Sequence, residues 1–377
     1  MSRAAAETSR TPVDEPDRLE GFSAPREVDR LFGHEAALNE FADALRSGRL
    51  HHAWMLVGPE GVGKATLAYL LAREVLALGE EPPGERTPIA PVGVNDPVFR
   101  KVAALSHPNL LLVRRSWNEK SKRYSQWIGV DEVRRLRSFL GHSAGEAGWR
   151  VVIVDRADEL NQNAANALLK ALEEPPHQAL FLLVATAEGR IPITIRSRCR
   201  SLRVAALSEE DLEMAVRAAL KRDGYKVDAS ALTTALALSQ GSVRRALELA
   251  TGEGIQLYRD LLASLGGLPE LDGPRLHRLV ERLGGAGDSE RLELFLSLLL
   301  GLLERLICAT ATGEELSSDE RDLQRRLLGR ANLPRWVEVW DAIGRAKADA
   351  ANLNLDRSLL VLEAFYRLQQ VARENPV

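Results

Sequence analysis

Cysteine is nearly missing from this sequence: Cys199 and Cys308 are the two it has among 377 residues. They lie far apart and neither sits in a C-x-x-C, so a disulfide framework and a four-cysteine zinc site are both excluded within the chain. The seven histidines show no H-E-x-x-H spacing, and the adjacent His51 and His52 cannot chelate as an i, i+4 pair. No metal site is expected. Aromatic residues make up only 5%, so aliphatic side chains must fill the core. An excess of one charge is missing too. The net charge of −3 gives no whole-chain signal for nucleic acid and leaves any such contact to a local patch. No long apolar run is free of charge. The stretch 292–309 comes closest, but Glu293, Glu304 and Arg305 interrupt it, which predicts a core helix and not a bilayer span. The first 20 residues carry Glu7, Asp14, Glu15, Asp17 and Glu20 and no apolar segment of the kind a signal peptide needs. A cytoplasmic protein without a membrane partner is the expectation.

What is present is ordinary for a protein that buries a core: 45% hydrophobic and 27% charged residues. The length predicts two or three domains. Residues 1–25 are polar and proline-bearing and read as a mobile tail. From 26 to 205, short apolar runs alternate with helix-period segments. The runs are AWMLV (53–57), NLLLV (109–113), WRVVIV (149–154) and ALFLLVAT (179–186). Helical periods fall at 34–45, 64–78, 131–140 and 163–174, the last stopped by Pro175 and Pro176. This alternation predicts an α/β domain, a parallel sheet covered by helices on both faces. The Pro- and Gly-rich stretch 79–97 reads as a surface excursion. The pattern changes at Ala206. Ser208 and Asp211 open a helix that ends at Gly224, and helices at 229–239 and 242–251 complete a small helical domain, 206–253. From 254 to 377 the period is helical throughout, which marks an all-α third domain.

The stretch Gly58, Pro59, Glu60, Gly61, Val62, Gly63, Lys64, Ala65, Thr66 joins the first apolar run to the helix behind it. A G-x-x-x-x-G-K between strand and helix lets backbone N–H groups face phosphates. Lys64 adds charge and the helix N-terminus adds its dipole. The residue after the lysine should be a Ser or Thr whose hydroxyl holds Mg²⁺. It is Ala65, and Thr66 points about 100° away around the helix. Asp155 ends the run 149–154 as a partner of Mg²⁺-bound water would; alternatively it caps the turn after a buried strand. ATPases of this type usually carry a water-polarising glutamate at the next position. Here it is Arg156, which cannot act as a base. Thr186 ends the neighbouring run within reach of a γ-phosphate. Arg198 is either a guanidinium offered to phosphate across a subunit boundary, or part of a surface run with Arg190, Arg196, Arg200 and Arg203. Cys199 reads as a small buried residue. The local basic patch is 114–137, with eight Lys/Arg against three acids and Trp117, Tyr124 and Trp127 interleaved. Its helix carries Arg134, Arg135 and Arg137, which are either DNA-backbone contacts or a solvated face.

Together, HHAWMLVGPEGVGKATLAYLLAR, HPNLLLV, NAANALLKALEEPP and TIRSRC resemble the delta-prime subunits of bacterial DNA polymerase III clamp loaders. These are AAA+ proteins related to the gamma/tau motor subunit. The likeness is strong over about 30–250 and weaker over the C-terminal helices. It implies an AAA+ P-loop domain at 26–205, a helical lid at 206–253 and a collar for oligomerisation at 254–377. Residues 58–66 then match Walker A, Asp155 the Walker B acid and Thr186 sensor 1. Arg198 matches an arginine finger acting in trans, and Arg244 matches sensor 2, with a solvated helix face as the alternative for Arg244. Implied partners are gamma/tau and delta subunits in a hetero-pentameric ring, the sliding clamp and primed DNA. ATP is the candidate cofactor, bound without turnover. Related subunits often carry a four-cysteine zinc module, but 79–108 has no cysteine, so no zinc is expected. The expected role is that of a stator, with negligible ATPase of its own. The alternatives are an active motor of the gamma/tau type, which has further domains in its tau form, and a DNA-binding protein whose loop is only scaffold.

Overall fold

The computed structural model describes residues 15–79, 92–118, 123–141, 148–283, 289–328, 332–353 and 357–374. Helix α1 (Glu35–Arg46) leads to strand β1 (Ala53–Val57), the glycine turn and α2 (Lys64–Ala77). Then come α3 (Pro97–Ala103), β2 (Leu110–Val113), the ribbon β3 (Trp117–Asn118) with β4 (Arg123–Tyr124), and α4 (Val130–Gly141). Next are β5 (Arg150–Val154), α5 (Gln162–Glu173), β6 (Ala179–Ala185), α6 (Ile193–Arg196) and β7 (Arg200–Arg203). Among the described residues helices alone follow: α7 (Glu209–Arg222), α8 (Ala229–Leu238), α9 (Val243–Thr251), α10 (Gly254–Leu265), α11 (Gly273–Leu283), α12 (Ser289–Thr312), α13 (Ser318–Leu327), α14 (Leu333–Leu353) and α15 (Arg357–Glu374). The predicted parallel α/β region and the helical C-terminal region are both present. Helix α3, capped by the Asp96 side chain with Pro97 in its first turn, was not anticipated.

The chain forms two compact units. The first holds residues up to Lys226 with Ser239–Leu247, and the second holds Val227–Leu238 with Glu248 onward. The stretch 206–253, expected as one lid, is thus divided between them. In the first unit five strands run in the order β2-β5-β6-β1-β7, every pairing parallel. Strand β6 lies between β5 and β1, with Val57 opposite Ala185 and Val154 opposite Leu183. The glycine turn, Asp155 and Thr186 therefore leave the sheet at one carboxyl edge, where open α/β sheets hold ligands. Alternate residues of β1 serve two cores. Trp54 and Leu56 pack with Phe41 and the apolar side of α2, while Ala53 and Met55 pack with Leu168 and Leu172 of α5.

Residues 15–25 were expected to belong to a mobile tail, and the structure corrects this. Phe22 and Ala24 are buried. Arg26 pairs with Glu15, and Arg114 pairs with Asp17 at 3.1 Å. Scattered acids in a polar sequence gave no hint of these partners, because the arginines lie elsewhere in the chain. Residues 1–14 and most of the surface excursion expected at 79–97 (80–91) fall outside the described residues.

The second unit is helical. Arg291–Thr312 is long and apolar enough to cross a membrane by composition, yet Phe295, Leu299, Leu302 and Leu306 of α12 are buried in the unit's own core with Phe365 of α15. This is the core helix that the interrupting charges predict. One of those charges is satisfied inside: Arg305 reaches Glu320 at 2.7 Å, and Tyr258 donates its hydroxyl to the same carboxylate at 2.6 Å. Burial alone would raise the Glu320 carboxyl, but Arg305 and the Tyr258 hydroxyl hold it below its ordinary value.

Candidate functional site

The glycine turn is seated by close backbone approach. A Cβ at Gly58 would collide with the Val204 carbonyl, and the Gly58 N–H donates to the Ala185 carbonyl at 3.4 Å. Gly61 has φ +75°, and a Cβ there would lie 2.7 Å from the Cβ of Arg244. The Arg244 N–H donates to the Gly61 carbonyl at 3.3 Å, so the start of α9 is stitched to the loop. His34 donates from Nε2 to the Val62 carbonyl at 2.8 Å.

Beside the loop is a cavity of about 210 Å³. Its lining includes Glu60 to Thr66, Asp155, Thr186 and Arg244, so the structure brings together the residues expected at Walker A, Walker B, sensor 1 and sensor 2. Of the loop, Gly58 and Pro59 stand behind the lining. Their carbonyls accept from Lys64 Nζ, at 2.7 Å for Gly58. Lys64 is buried, and desolvation lowers its ammonium to about 8. Asp155 is buried as well. Burial first, and the neighbouring Asp17 carboxylate second, push it up to about 7. Asp158 accepts from the Ala187 N–H at 3.3 Å and so steadies the turn after Thr186 instead of standing in for the missing glutamate.

Three features of the cavity were not legible in the sequence. The segment 16–32 forms one wall, with Asp17, Phe22, Val28 and Phe32 among its residues. Phe22 stacks on Tyr225 with centroids 4.6 Å apart, and Ser23 donates to Asp223 at 2.5 Å, which fastens the wall to the end of α7. Arg156 lines the cavity in a left-handed backbone conformation, φ 59°. Its guanidinium lies 2.5 Å from Glu60 of the loop and 3.0 Å from Glu159.

Arg198 does not line this cavity. It lies in the turn between α6 and β7, where it donates to the Thr194 carbonyl at 2.9 Å and pairs with Glu173 at 2.9 Å. Cys199 beside it is half-buried, and desolvation pushes its thiol up to about 12, consistent with an unreactive packing residue. The basic patch is partly neutralised. Arg114 pairs with Asp17, Arg115 with Glu159, Arg134 with Asp131 and Arg135 with Glu132, and Arg137 is exposed. Residues 119–122 of that patch lie outside the described residues.

The loop and cavity fit the phosphates and base of a nucleotide: glycine-seated N–H groups and Lys64 at the loop, and Leu19, Phe22, Val28 and Phe32 as apolar wall. The fit to Mg²⁺ is poor. Ala65 has no oxygen to offer, and the Arg156 cation lines the same cavity.

Residues 33–208 match the family described as "DNA polymerase III, delta subunit". The chain is 28% identical to the DNA polymerase III subunit tau of Escherichia coli (strain K12), over 91% of this chain and 54% of that protein. It is 29% identical to subunit gamma of Buchnera aphidicola subsp. Schizaphis graminum, over 60% of this chain and 58% of the relative. It is 35% identical to subunit delta' of Pseudomonas aeruginosa, over 55% of this chain and 58% of the relative. The chain spans about half the length of the curated relatives it matches. Solved structures similar to it include a DNA polymerase III gamma subunit-related protein of Thermotoga maritima (19% identity, 89% of this chain, 100% of that chain, TM-score 0.41). Another is the RuvB Holliday junction branch migration motor of the same organism (16%, 81% of this chain, 93% of that chain, TM-score 0.40).

Proposed function

We propose that the chain is a member of the gamma/tau/delta-prime group of DNA polymerase III clamp-loader subunits, which its similarities support, and that within it the chain acts as a delta-prime-type stator. The observation that carries this reading is a separation. Arg198 stands outside the chain's own nucleotide cavity, while Ala65 and Arg156 occupy the places where an ATPase keeps its metal ligand and its water-polarising acid. A guanidinium outside the chain's own cavity can serve a phosphate that arrives from elsewhere. In this reading Arg198 stabilises charge on the phosphoryl group transferred in a neighbouring gamma/tau subunit. Residues 254–377 form the collar of a hetero-pentameric ring; Leu359 and Tyr366 of α15, 62% and 58% exposed, are apolar surface for such a contact. The ring, with a delta subunit, opens the sliding clamp at primed DNA in the cytoplasm. The protein's own loop binds nucleotide without turning it over.

The alternative, an active motor of the gamma/tau type, draws on the match to tau over 91% of the chain. Ala65 and Arg156 weigh against it on chemical grounds. A structure of the reconstituted complex with a non-hydrolysable ATP analogue separates the two. The stator reading expects the Arg198 guanidinium within hydrogen-bonding distance of the neighbour's γ-phosphate. Arg198 distant from every neighbouring nucleotide would overturn it.

A further inference from the structure

Arg156 stands where a water-polarising base is expected. Its surroundings give it a different task. Arg156 lies at the carboxyl end of β5, and its backbone takes a left-handed conformation that a non-glycine residue adopts at a cost of about 1 kcal/mol or more. That conformation accompanies a guanidinium that lines the cavity, 2.5 Å from Glu60 in the middle of the phosphate loop. Glu159 holds the other side of the fork at 3.0 Å. The side chain remains 29% exposed, so it is oriented without being sealed in.

The cavity as a whole leans positive. Lys64, Arg156, Arg30, Arg222 and Arg244 line it. Against them stand Asp17, Glu60 and Asp155. A nucleoside polyphosphate brings several negative charges, and in active phosphate-loop enzymes a divalent cation offsets part of them. Here the hydroxyl that would hold such a cation is replaced by Ala65. A metal would also have to approach against Arg156. The guanidinium fork suits phosphate oxygens directly, in a planar two-point geometry that an ammonium does not offer.

We propose that this cavity binds a nucleoside di- or triphosphate without a divalent metal, with the Arg156 guanidinium exchanging its Glu60 partner for phosphate oxygens. Glu60 is then the internal placeholder for the ligand's charge, and its 59% exposed side chain can swing to solvent when phosphate arrives. The inference rests on the loop being a nucleotide site and not on the trans role of Arg198.

The test is equilibrium binding of a fluorescent ADP and ATP to the full chain, in EDTA and in excess Mg²⁺. Expected are affinities within about threefold of each other in the two conditions. Arg156→Gln should weaken metal-free binding about tenfold or more, and Arg156→Lys, which keeps the charge but loses the fork, should recover part of that loss. Glu60→Gln should strengthen metal-free binding severalfold by removing the competing carboxylate. This variant keeps the proposal falsifiable if the Arg156 variants do not fold. Binding that requires Mg²⁺, binding indifferent to Arg156→Gln, weakened binding in Glu60→Gln, or no binding in either condition would each overturn the proposal. None of these results bears on ATP hydrolysis by a neighbouring subunit, so the stator reading stands or falls separately.

Discussion

At the phosphate loop, charge is buried: Lys64 and Asp155 are both shielded from solvent, and each is moved toward its neutral form. At the turn between α6 and β7, charge is on the surface: Arg198 and its partner Glu173 keep 37% and 43% of their side-chain surface. The two places belong to the same sheet unit, and the difference follows from desolvation. A buried charge is tied to the groups that compensate it and is expensive to rearrange. A surface pair contributes about 0–1 kcal/mol, so its arginine can leave one carboxylate for another anion at little expense. The buried charges are costly to rearrange, and the exposed pair is not.

The strongest way to break this comparison is Arg198→Ala in the reconstituted complex. Steady-state ATP hydrolysis should fall on the order of a hundredfold or more while assembly by size-exclusion is unchanged. Normal hydrolysis would remove the role of Arg198. The chain by itself should show no turnover above background, and a clear rate abolished by Lys64→Ala would turn the comparison around.

A second test probes how firmly the buried region is built. Gly58→Ala places a methyl against the Val204 carbonyl and should destabilise the protein by about 2 kcal/mol, read as a lower Tm. An unchanged Tm would mean the loop is seated more loosely than its geometry indicates.

The third concerns pH. The Asp155 carboxyl is raised from its ordinary 3.8 to about 7 on folding. Between those values the folded state holds a proton the unfolded state has released, so the penalty from this group grows from about pH 4 to 7 and is complete above 7. Asp155→Asn should therefore raise stability at pH 8 by up to about 4 kcal/mol and leave it nearly unchanged at pH 4, as measured by denaturant titration. A loss of stability at pH 8 would show that the carboxylate is compensated in the fold.

The smallest effect is expected from the α4 face. Arg134 and Arg135 already hold Asp131 and Glu132. Replacing Arg134, Arg135 and Arg137 together by Ala should reduce the isolated chain's affinity for duplex DNA by less than about threefold at physiological salt. A large, salt-steep loss would restore that helix as a DNA-backbone contact.

Much of the sheet unit was legible because its signals are local. A strand such as β6, buried over its whole length, needs an unbroken apolar run. A phosphate loop needs glycines at fixed offsets before a helix. Helix α5 ends where Pro175 and Pro176 forbid continuation. The cavity's other wall was not legible, because Glu15 and Asp17 acquire their meaning from Arg26 and Arg114, and Arg114 lies about a hundred residues away. The division of 206–253 was equally hidden. Amphipathic helices announce that they pack, and not against which core: Ala235 and Leu238 of α8 join Leu257 and Leu261, while the first turn of α9 joins the phosphate loop.

The amino-acid order alone determined the alternation of strands and helices, the loop at 58–66, the absence of a hydroxyl at Ala65 and the cation at Arg156, since each depends on residue type at short spacing. Tertiary structure alone decided that Arg156 meets Glu60 over the loop, that Asp17 faces Asp155 and that Arg198 stays outside the cavity. Those are distances between residues remote in sequence, and only the packing of the sheet and its helices sets them.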